Sequence, residues 1–154
     1  MTVSGAKSNA FTLLELVIAM ALAMIILGLG AGLAFSTFSQ EKQIQRAAGK
    51  VEASARKTGM LAQSNRSDQI LVLYQDKLVG DYLEESIGVG QLYFARANDS
   101  QWQSPSSEGY AWKFSHSGLS EPLRIQIRFE SGQVEMAFDP LTHSPKERSI
   151  IIDG

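Results

Sequence analysis

Between Leu16 and Phe35 the chain runs for 20 residues without a charged side chain, and the next charge is Glu41. A helix advances about 1.5 Å per residue, so such a stretch covers about 30 Å, the hydrocarbon thickness of a bilayer. A soluble amphipathic helix would show a polar face at helical period, and this segment has none. It reads as a membrane-spanning helix. A secretory signal peptide carries a shorter apolar run, of about 7–15 residues, ending at a small-residue cleavage site. Here Leu33, Ala34 and Phe35 continue the apolar sequence past Gly28, Gly30, Ala31 and Gly32.

Two bulk properties remove whole classes of function. The formal net charge is −2, whereas phosphate contacts to nucleic acid usually demand a clear basic excess. There is no cysteine, which excludes disulfides, thiolate metal sites and cysteine nucleophiles. His116 and His143 lack neighbours at metal-ligand spacing and read as surface or loop residues, so no metal and no cofactor is expected.

A plain signal anchor does not account for Glu15. This carboxylate stands inside the apolar sequence that begins at Phe11, where a charge is costly and usually functional. Upstream lie ten short polar residues, MTVSGAKSNA, with Lys7 as their only charged side chain. The junction reads Ala10-Phe11-Thr12-Leu13-Leu14-Glu15 and runs straight into the span. A short basic leader, FTLLE and a long apolar run together resemble the prepilin motif of type IV pilins and type II secretion pseudopilins. The resemblance implies that a prepilin peptidase cuts between Ala10 and Phe11 on the cytoplasmic side and methylates the new amino group of Phe11. It also implies that Glu15 is the assembly glutamate. The family prefers glycine before the cut; Ala10 stands there instead, and slower processing is expected from it.

The physics of Glu15 supports that role. Where N-terminal helices stack in a water-poor filament core, a lone carboxylate carries a large desolvation cost. The terminal amine of a neighbouring subunit, freed only by cleavage, neutralises it. Charge does not orient the span, because Lys7 precedes it while Lys42, Arg46 and Lys50 follow it. The leader is assigned to the cytoplasm from the resemblance.

Beyond the span, Ile44, Ala48, Val51, Ala55, Thr58 and Ala62 recur at steps of three or four and make one stripe. Glu41, Lys42, Arg46, Lys50, Glu52 and Arg56 lie mainly off it. The spacing predicts one helix from about residue 12 to about residue 64. Ser64 to Asp68 is a turn-rich break, after which the period becomes strand-like. Strands are expected at Ile70–Tyr74, Lys77–Val79, Gln91–Ala95 and Tyr110–Phe114, with a loop from Asn98 to Gly109. Leu123, Ile125, Ile127 and Phe129 alternate with Arg124, Gln126, Arg128 and Glu130; Ser131-Gly132 reads as the hairpin turn into Val134, Met136 and Phe138. Asp139-Pro140 breaks the pattern, and Ser149–Ile152 forms a last strand.

The expected fold is α+β: a long N-terminal helix, transmembrane in its first half and amphipathic in its second, packed on a small, mostly antiparallel sheet. The divisions are a leader at 1–10, the spanning helix at 11–35, its amphipathic continuation at 36–64 and a β-rich head at 65–154. The layout, with its FDPLT segment after a C-terminal hairpin, resembles the H-type minor pseudopilins. That resemblance implies a structural subunit of a type II secretion pseudopilus in the bacterial inner membrane, its head periplasmic, with no enzymatic activity. Its partners would be prepilin peptidase, major and minor pseudopilins, an inner-membrane assembly platform and a secreted substrate. The alternatives are a minor pilin of a type IV pilus or competence system and a membrane-anchored binding module. Arg124, Arg128, Lys146 and Arg148 raise DNA binding, but a solvated strand face balanced by Glu130 and Glu135 is favoured. Ser115-His116-Ser117 and Glu84-Glu85 have no nucleophile elbow or glycine-rich loop to make a hydrolase of them. Of Trp102 and Trp112, one is expected to pack on the head and the other to face a partner.

Overall fold

The computed structural model describes residues 13–152, and the side chains of all of these except 27–39. Ala10 and Phe11 lie outside the described residues. The chain divides into two compact units, Met1–Ser39 and Gln40–Gly154.

Helix α1 runs from Leu13 to Asn65 without a break, 53 residues in all. No proline falls within it, so every turn can keep its i→i−4 bond. Arg66 ends the helix with a left-handed φ of 50°. Its N–H donates to Gln63 O at 3.3 Å, and the Ser67 N–H to Ala62 O at 3.2 Å, which is the Schellman closure of a helix C-terminus. Among the described residues no helix is long and apolar enough to cross a membrane. The span expected at 16–35 runs into residues 27–39, whose side chains lie outside the described residues.

Within the second unit the alternating segments become two four-stranded antiparallel sheets. The first comprises β1 (Gln69–Leu73), β2 (Lys77–Gly80), β3 (Leu83–Ser86) and β5 (Tyr110–Phe114), in the order β3-β2-β1-β5. The second comprises β4 (Gln91–Arg96), β6 (Leu123–Phe129), β7 (Gly132–Phe138) and β8 (Pro145–Ile152), in the order β4-β6-β7-β8. A backbone bond from Leu92 N–H to Gln75 O, 2.8 Å, ties the second sheet to the β1–β2 turn of the first.

One core joins these elements. The whole expected stripe of α1 is buried: Ile44, Ala48, Val51, Ala55, Thr58 and Ala62, joined by Ala47 and Ser54. These residues are mostly small, and they share one hydrophobic cluster with strands of both sheets. Leu71, Leu73 and Leu78 come from the first sheet, and Ile125, Ile127 and Met136 from the second. Trp112, fully buried, meets Phe138 edge-on at 5.0 Å, and Phe94 stacks on Tyr110 at 3.9 Å, so aromatic pairs bridge the sheets twice.

Three expectations change. Strand β3 had no alternation to announce it; it forms because Lys77↔Ser86 through Gly80↔Leu83 pair across the turn at Asp81 and Tyr82. The second hairpin turns at Glu130-Ser131, not Ser131-Gly132, since Phe129 pairs with Gly132. Strand β8 begins at Pro145, four residues before Ser149, with a register shift at Ala137/Phe138.

Candidate processing and assembly site

On sequence grounds Ala10 and Phe11 are the processing residues and Glu15 the assembly residue. Only Glu15 is described. It stands in the first turn of α1, where the unpaired N–H groups and the helix dipole favour a carboxylate. Its side chain is exposed, and so are those of Leu13, Leu14, Leu16, Val17 and Ile18 around it. Successive residues step 100° around a helix, so these side chains cover the whole circumference. From Leu13, 83% exposed, to Ile18, 50% exposed, and on to Ile26, ten large apolar side chains are uncovered within α1's first four turns. Covering them would release on the order of 10 kcal/mol of hydrophobic free energy. The arrangement can do one thing chemically: hold a carboxylate at the head of an apolar cylinder that demands an apolar surrounding.

The second unit holds the remaining candidates apart. His116 follows β5 and is exposed; its backbone N–H donates to Asp68 Oδ1 at 2.8 Å, and its ring Nδ1 lies 2.7 Å from the same oxygen. The His116 N–H, then the ring, hold the Asp68 carboxyl below its usual range. The pair ties the α1–β1 break to the β5–β6 loop. Glu84 and Glu85 are on β3, at the opposite edge of the same sheet, three strand spacings or about 14 Å away. They are held by Lys77 at 2.7 Å and Lys50 at 3.7 Å, so the structure does not assemble them with Ser115 or His116.

His143 is not a surface residue. It is 4% exposed, with a left-handed φ of 55°. Asp139 Oδ1 sets the tight turn beneath it by accepting the N–H groups of Leu141 and Thr142 at 2.8 and 3.0 Å. The ring lies over Gly59 of α1, where an added Cβ would collide with Nδ1, Cε1 and Cγ, and 5.3 Å from the Phe114 ring. Burial pushes its pKa down, against smaller upward pulls from Asp139 and from the Gly118 backbone. The only hint in the sequence was the helical glycine at 59.

The arginines of β6 are engaged. Arg124 lies over the Trp102 ring at 5.0 Å, Arg128 over Tyr93 at 4.3 Å, and Arg128 Nε donates to Gln126 Oε1 at 2.7 Å. Gln126, on the wet face by alternation, is only 2% exposed because it also donates to Glu135 Oε1 at 2.7 Å. Glu135 accepts from Gln126 and Gln133 and forms no ion pair with Arg124 or Arg128 among the described residues, so the solvated, acid-balanced strand face expected from the sequence is instead a partly buried polar network. Arg148 reaches Glu52 of α1 at 2.7 Å. Trp112 packs inside and donates Nε1–H to Glu121 O, while Trp102 is half-buried. Among the described residues no three metal-ligating side chains cluster.

Residues 5–34 match the family model of the prokaryotic N-terminal methylation motif. The match covers well under half of the chain, yet includes Ala10, Phe11 and Glu15. It supports the type IV pilin-like superfamily and implies processing by a prepilin peptidase and assembly with other pilins. No characterised protein and no solved structure matches the chain.

Proposed function

From a chain whose residues 5–34 carry a prepilin-type methylation motif, we propose a minor pseudopilin, a non-catalytic subunit of a type II secretion pseudopilus. The observation that carries this reading is that the described part of the motif, residues 13–34, lies on α1, a single helix that runs on to Asn65 and lends residues 44–62 to the core of a two-sheet head. The apolar cylinder of α1 sits in the inner membrane, with the leader cytoplasmic and the head periplasmic. The peptidase cuts at Ala10–Phe11 and methylates Phe11. The new amine then neutralises Glu15 of a neighbouring subunit, and a wrong axial register would leave both charges unpaired. The H-type resemblance supports a priming or capping position at one end of the filament. The engaged arginines of β6 speak against DNA as its ligand.

Intact-mass spectrometry of the membrane-extracted chain, with and without a co-expressed prepilin peptidase, tests the first step. Loss of residues 1–10 with one added methyl group is expected only when the peptidase is present. A chain that keeps its leader in both samples would leave a membrane-anchored module as the reading. Salt-sensitive DNA binding by the processed chain would move it to a competence-type minor pilin.

A further inference from the structure

A groove follows α1 from Gln43 to Lys57, about 21 Å or four turns. One stretch, about 380 Å³, has Arg46, Lys50 and Lys57 on the helix side and Leu83 and Glu85 of β3 opposite. The adjoining stretch, about 290 Å³, has Ala47 on the helix and Ile87, Val89 and Phe129 opposite. Arg46 lines both. The helix surface is low here: a Cβ added at Gly49 meets nothing within 4 Å, and Ala53 is exposed. On the opposite rim Val89 is 82% exposed.

The charges are unevenly satisfied. Lys50 donates to Ser86 O at 2.7 Å and lies 3.7 Å from Glu85, and Lys57 donates to Tyr82 O at 3.3 Å. These bonds take up Glu85, the one carboxylate lining either stretch among the described residues. The Arg46 side chain, which like Lys50 lines both stretches, has no hydrogen bond or ion pair among the described residues. An apolar floor with such a guanidinium midway along it fits an apolar ridge that carries a carboxylate, which Arg46 can grip through two parallel N–H bonds.

The small exposed residues Gly49 and Ala53, four apart on one face of α1, admit a second helix at close range. That helix cannot be the same segment of a second copy. From Gln40 to Asn65, α1 holds Lys42, Arg46, Lys50, Arg56 and Lys57 against only Glu41 and Glu52, and Arg148 already holds Glu52. Like charges would face each other. We propose that the groove docks an acidic amphipathic helix of a different subunit of the same filament, with one of its carboxylates on Arg46. This rests on the pilin-like reading above and adds the contact surface and the partner's chemistry.

The chain has no cysteine, so Gly49→Cys, or Ala53→Cys as a second probe, puts a single thiol in the groove. Maleimide labelling is followed on the full chain in membranes, with and without the other filament subunits, and the processed mass is recorded on the same samples. Labelling is expected to slow about tenfold when the other subunits are present, and Arg46→Glu is expected to restore it. A processed, filament-incorporated chain whose thiol labels equally fast in both samples overturns the docking proposal alone. Protection by phosphatidylglycerol vesicles without other subunits overturns it in favour of a lipid headgroup. A disulfide-linked dimer of the Gly49→Cys chain overturns it in favour of a second copy. An unprocessed chain removes the filament reading, and this proposal with it.

Discussion

At His143 an imidazole is buried against a helix, a placement made possible by one missing methyl group on Gly59. Gly59→Ala should therefore lower stability by about 1–3 kcal/mol, the usual cost of overpacking, seen as a reduced urea midpoint for the detergent-solubilised chain. The same ring makes stability depend on pH. Its folded pKa lies below the ordinary value of 6.5, so the unfolded chain takes up the proton first. The stability it contributes is complete above about pH 6.5 and is lost as pH falls from there toward the folded pKa. His143→Phe keeps a ring and has no proton to gain. The parent's urea midpoint should fall between about pH 7 and 5 more steeply than that of His143→Phe. Equal slopes would mean that the ring titrates normally.

Along α1 the side chains that enter the core are mostly small. Alanines at 47, 48, 55 and 62 are sealed in the core, so Ala55→Leu should cost about 1–3 kcal/mol, while Ala53→Leu on the exposed face should stay within about 0.5 kcal/mol. Thermal melts of the two variants separate a packed face from a wet one. Gly132 is a second tight point: it opens β7 at φ 148°, and a Cβ there would strike Ile151 O and Ile152 Cα of β8. Gly132→Ala should loosen β8, with faster amide exchange along Ser149–Ile152 than along β6. Uniform exchange in both strands would show that β8 does not need the gap.

For the molecule as a whole, Glu15 and the head answer to different tests. Glu15→Gln should leave membrane insertion and leader removal intact and cut filament incorporation at least about tenfold, since leaving one buried charge unpaired costs about 3–5 kcal/mol. Cell fractionation and sheared-filament blots read the two separately; undiminished incorporation would reduce Glu15 to an interfacial carboxylate. Much of the layout was legible beforehand. The stripe from Ile44 to Ala62 and the alternation from Leu123 to Phe138 are periodic patterns, and a buried face repeats at the period of its backbone. The short strand β3 was not legible, because Leu83–Ser86 owes its form to pairing with β2 and not to its own side-chain order. The groove at Arg46 was not legible either, because its walls lie about forty residues and more apart in sequence.

The sequence alone determined the long uncharged run, the FTLLE junction with its glutamate, the extent of the helix and the hairpin near the C-terminus. All of these are set within one helix or between neighbouring strands, by period and by local charge. Tertiary structure alone decided that His143 is buried, that Gln126 is sealed within a polar network, and that Arg124 and Arg128 are engaged by aromatic rings. It also left Arg46 in a groove with no partner among the described residues. In each case the outcome depends on distant parts of the chain, and burial or charge pairing is a property of the assembled surface that no local pattern encodes.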